Sequence, residues 1–133
     1  MLIAKTVFEK SRILKGLQFD HQILEKEVKN LVVSQSFAAD ERLLAFNKRY
    51  KTFVIAVHSI GRDVAQLCTY VQRHKAVTDC TIGEAVHATT AALGYFNEVT
   101  IEDPLRGTFH TFIDSGIGHN NPAECTVEEA KQI

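Results

Sequence analysis

Apolar positions in this chain recur mostly at helical spacing, and strict apolar–polar alternation is scarce. The longest regular series is Leu43, Phe46, Tyr50, Phe53, Val57, Ile60, Val64, Leu67 and Val71, separated alternately by three and four residues. Such a series is a heptad seam, the mark of long helices crossing at a shallow angle. It predicts a central helix over 40–74. Asp40 and Glu41 suit the positive end of that helix, and Arg73, His74 and Lys75 suit its negative end. Gly61 is its weak point, costing about 1 kcal/mol against alanine, and permits a kink.

Other segments supply partners for this spine. A helix over 4–15, stopped by Gly16, carries Ile3, Val7, Leu14 and Leu17. A second starts at Asp20 as N-cap, with Phe19 and Leu24 as a staple and Leu24, Val28 and Leu31 as its face. Thr81 and Glu84 form a capping box. The helix that follows shows a large face (Ile82, Ala85, Thr89, Ala92, Phe96, Val99) and a stripe of small residues, which predicts contact on two sides. Pro104 after Asp103 predicts a helix carrying Leu105, Phe109, Phe112 and Ile113 and ending at Gly116. A hairpin over 97–116 is the alternative. Thr126 and Glu129 form a last capping box before a short helix. The expected fold is all-α, a single domain over 1–133 with five to six helices bundled around 40–74.

Composition narrows the class. Hydrophobic residues are 45% and charged ones 23%, which excludes a disordered chain. No apolar run reaches the roughly 18 residues of a membrane span, and the start lacks the order of a signal peptide. Cys68, Cys80 and Cys125 are odd in number and far apart, as expected of reduced thiols in a cytoplasmic protein. The net charge of −1 conceals a split. Residues 1–75 hold 13 Lys/Arg against 7 Asp/Glu, and residues 76–133 hold 2 against 9. Halves that neutralise each other, head-to-tail pairing of subunits, and an anionic partner for the basic half would each account for it.

Candidate chemistry is sparse. There is no GxSxG, no phosphate loop and no paired CxxC. Arg106, His110 and Asp114 would share one face of a helix, an acid–base pair with an anion clamp for a phosphate-acting enzyme. Glu84 and His87, as ExxH, are the two residues placed to share a metal, although di-iron bundles need the motif twice. His21 and Glu25 make another helical pair. Arg42, Lys48, Arg49, Tyr50 and Lys51 form a basic surface beside the seam, suited to a nucleotide, a nucleic-acid backbone or an acidic protein. With no complete catalytic set, the expectation is a small binding or interaction protein of the inhibitor, immunity, sequestering or adaptor kind. It would act by stoichiometric contact, as a homo-oligomer and without a cofactor. The phosphate-acting enzyme and the metal-binding bundle are its alternatives.

Overall fold

The computed structural model describes residues 20–46, 49–73, 75, 78–104, 106–116 and 119–132. The elements run α1 (His21–Ser34), a single helical turn α2 (Leu43–Phe46), β1 (Phe53–His58), β2 (Val64–Cys68), α3 (Ile82–Thr90), β3 (Val99–Asp103), β4 (Thr108–Asp114) and α4 (Ala123–Ala130). The four strands form one antiparallel sheet in the order β2-β1-β4-β3. The expected all-α bundle is therefore wrong: the fold is mixed helix and sheet.

The residues of the predicted spine explain the difference. Apart from Ala56, Phe53-Val54-Ile55-Ala56-Val57 is a run of aromatic and β-branched side chains, which favour an extended backbone. Ile55, Ala56 and Val57 are all buried, so both faces of β1 are covered and no alternation shows. Gly61 is not a kink in a helix. It sits at φ 84° and Arg62 at φ 62°, in the reversal between β1 and β2, where a left-handed backbone is cheapest for glycine. The heptad positions consequently scatter. Leu43, Val57 and Leu67 are buried, while Tyr50 is 62% exposed, Ile60 90% and Val71 76%.

The same correction applies at 104–114. The hairpin alternative holds: Asp103 ends β3 instead of capping a helix, and its carbonyl accepts from the backbone N–H of Arg106 (3.2 Å) and Gly107 (2.8 Å). Gly107 takes φ 63°. The strands then pair from Val99↔Phe112 to Asp103↔Thr108.

Two predicted helix starts hold. The Asp20 carboxylate accepts from the Gln22 N–H at 2.8 Å. Thr81 and Glu84 exchange both bonds of the capping box. Helix α3 ends at Thr90, so Ala92, Phe96 and Val99 lie beyond it. Its Ala85 and Ala88 pack on Ala56, Leu67, Ile101 and Phe112 of the sheet; small side chains let the helix come close. On its other side, Ile82 and Val86 meet Leu24, Val28 and Val32 of α1. Val32 replaces the predicted Leu31, which is exposed. Each buried aliphatic side chain of α1 contributes about 1.5–3 kcal/mol. The helix predicted over 4–15, the Phe19 half of the staple predicted for α1, and Lys48 lie outside the described residues. No helix among those described is long and apolar enough to cross a membrane.

Candidate functional site

The sheet has two edges, and they differ. On β3, Glu102 is charged and exposed, a common protection against stray strand pairing. Strand β2 reads Val64-Ala65-Gln66-Leu67-Cys68, with no charge and no proline. Its pairing with β1 runs through Ala56↔Ala65 and Val54↔Leu67. The flanking bonds, His58 N–H to the Asp63 carbonyl and Thr69 N–H to the Thr52 carbonyl, are both 2.9 Å. Alternation of an antiparallel ladder therefore turns the N–H and C=O of Ala65 and Leu67 toward β1 and those of Val64 and Gln66 outward. Among the described residues no strand covers that side.

The outward edge opens on a cavity of about 540 Å³ lined by consecutive residues Val64 to Leu67, by His58 and Lys75, and by α4 through Glu124, Cys125 and Glu128. Helix α4 is held there by a carboxylate. Glu129 is 4% exposed. It accepts from the Tyr70 hydroxyl and from the Gln72 amide, each at 2.8 Å, with the Lys75 ammonium at 4.0 Å. Gln66 joins this network, its side-chain oxygen accepting from Gln72 (2.8 Å) and Lys75 (2.9 Å). Burial, then the hydrogen bond to Glu129, pushes the Tyr70 hydroxyl well above its usual pKa. Burial, reinforced by the Glu129 charge, pushes the Cys68 thiol up to about 11. Neither group ionises near neutrality: the Tyr70 hydroxyl is a neutral donor to the carboxylate, and the Cys68 thiol donates to the Gln66 carbonyl at 3.5 Å.

His58 ends β1 beside this cavity. Its ring lies 4.9 Å from Phe112 and 5.7 Å from His110. Burial, then the neighbouring His110, lowers its pKa against an opposing pull from Asp63.

The residues singled out in the sequence are dispersed. Arg42 bridges in backbone to Thr81 and pairs with Asp79 at 3.3 Å. Arg49 lies 5.8 Å from the Tyr50 ring, and Lys51 lies 5.5 Å from the Tyr70 ring. Arg106 is in the β3–β4 turn, 4.0 Å from Asp103. His110 and Asp114 are on β4, four residues apart, which in a strand is about 13 Å. The helical face that would have joined those three does not form. Glu84 is occupied by its capping box, and His87 instead stacks on His21, ring centroids 5.5 Å apart. Gln66, Tyr70 and Gln72 carry no sequence signal of their own, and the capping-box pattern assigns Glu129 a local role, because what joins the four is contact between β2, the loop after it and α4. The signal for β2 was there in a strand-like run lacking any charge. No family model, curated protein or solved structure matches the chain significantly.

Proposed function

We propose that this protein is a binding module that takes an extended peptide segment as a fifth strand alongside β2. The observation that carries this reading is the outward backbone of Val64 and Gln66 facing a cavity walled by α4. An edge strand beside a helix supplies what strand addition uses: main-chain donors and acceptors for affinity, and side-chain pockets for selectivity. A partner of about five residues matches β2 at about 3.3 Å per residue. Lys75 and His58 offer cationic or donor groups on the sheet side, and Glu124 and Glu128 offer acceptors on α4. The action would be stoichiometric contact.

Selection of peptides from a displayed library, followed by amide hydrogen exchange, tests this. Val64 and Gln66 amides should exchange fast in the free protein and become protected on binding. Gln66→Pro removes an outward N–H without touching the ladder to β1, so affinity should fall about tenfold, the worth of one main-chain bond. Gln66→Ala keeps the N–H and should retain most of the binding. Peptides that bind Gln66→Pro as well as the parent, or amides already protected in the free protein, would overturn the reading. A dimer whose exchange pattern maps to β2 would instead make a second copy the occupant.

A further inference from the structure

A second cavity, of about 400 Å³, opens where α1 meets α3, lined by His21 and Glu25 from α1, Glu84 and His87 from α3, and Asn97 and Glu98 before β3. His87 is 8% exposed, and its Nε2 has no hydrogen-bond partner. A hydrogen bond to the Asn97 backbone engages its ring. With Nε2 unpartnered, that bond belongs to the other nitrogen, which donates its N–H to the carbonyl and leaves a lone pair on Nε2. A buried acceptor without a donor is rare in folded proteins and calls for a ligand to explain it.

The walls decide which donor. Glu25, Glu84 and Glu98 bring three carboxylates. Lys29, paired with Glu25 at 2.9 Å, is shared with Asp40 at 3.3 Å. Glu84 bonds Thr81 through Oε2, and Glu98 accepts from the Ser59 hydroxyl through Oε2 at 2.6 Å, so a second oxygen remains on each. Among the described residues no three His, Cys, Asp or Glu side chains converge as a metal ion requires. An ammonium group gathers its acceptors more loosely, at about 2.8–3.0 Å each against about 2.0–2.2 Å for a metal bond. It carries three N–H donors and a positive charge.

We infer that this pocket binds a small primary amine, its ammonium donating to the His87 Nε2 and to the carboxylates of Glu84 and Glu98. Burial, then the adjacent His21, holds the His87 imidazole below its ordinary pKa, against Glu25 and the Asn97 bond. The ring is therefore a neutral acceptor at pH 7.5. Acidification would charge it and expel the amine.

The test is titration of the purified protein with 1,4-diaminobutane, following the His21 and His87 ring protons by NMR. The expected result is saturable one-to-one binding at pH 7.5 that weakens progressively as the pH falls below 6.5, with no response to 1-butanol. Glu98→Gln, at an exposed position, should weaken binding severalfold while leaving the fold intact. His87→Gln should abolish it. Unmoved histidine resonances at millimolar amine, equal response to the alcohol, or full binding by folded Glu98→Gln would overturn the inference. Zinc binding to His21 and His87 in preference to the amine would overturn it as well.

Discussion

His87 sits in a helix that packs on both sides, and it is a polar group held where water is scarce. His58, at the end of β1, is half-buried. Both have pKa values lowered chiefly by burial, whereas the unfolded chain titrates near the ordinary value of about 6.5. The sign follows from proton counting. Between the folded and unfolded values the unfolded state binds more protons, so stability is fully present above about pH 6.5. It is lost as pH falls through the folded values. Urea unfolding at pH 7.5, 6.5 and 5.5 should show a falling midpoint, and His87→Leu should flatten that dependence. A midpoint that rises on acidification would contradict the assignment of burial as the dominant cause.

At the scale of elements, α4 is the unusual one. Glu129 is its one buried side chain, while Val127 is exposed. It is therefore docked by hydrogen bonds to a carboxylate, each worth about 1.5–3 kcal/mol when charged. Glu129→Ala should release α4 without unfolding the sheet. Amide exchange over 123–130 should accelerate at least about tenfold while β1 and β4 keep their protection; global unfolding on this change would show that α4 belongs to the core. The sequence suggested another role for this glutamate, the far end of a capping box with Thr126. In the structure the helix starts at Ala123, and the Thr126 hydroxyl donates to the Pro122 carbonyl at 2.8 Å. The N-cap pattern was legible at Asp20 and Thr81 because those residues act on their own neighbours. At Glu129 a partner distant in sequence won, and local pattern holds no record of such partners.

For the whole molecule, what the sequence could not convey was the pairing of β1 with β4. A three-and-four spacing of apolar residues predicts one helix through Val57, Ile60 and Val64, yet two strands and a turn satisfy the same spacing. The β-branched cluster 53–57 and the glycine at 61 were the local clues, and tertiary pairing decided between them. The charge split is more easily read. Among the described residues, Arg42 with Asp79 and Lys75 with Glu129 pair the basic half with the acidic half within one chain. The topology also ranks stability across the fold. Val57 and Ile113 lie in the two central strands and are almost completely buried. Their amides should exchange at least about a hundredfold more slowly than that of Gln66 on the open edge. Comparable rates at these three positions, measured by hydrogen–deuterium NMR, would contradict the strand order.

The two hairpins, β1–β2 and β3–β4, are each closed by a short turn, but the seam that unites them runs from Val57 to Ile113, with all of α3 in between. Each hairpin can zip early and alone. Joining them requires a long loop to close first, an entropic toll that places folding among the slower, non-local topologies. During synthesis, β1 must wait unpaired on one side until β4 has left the ribosome, and in that interval its Val-Ile-Ala-Val stretch has an apolar edge with nothing yet to cover it.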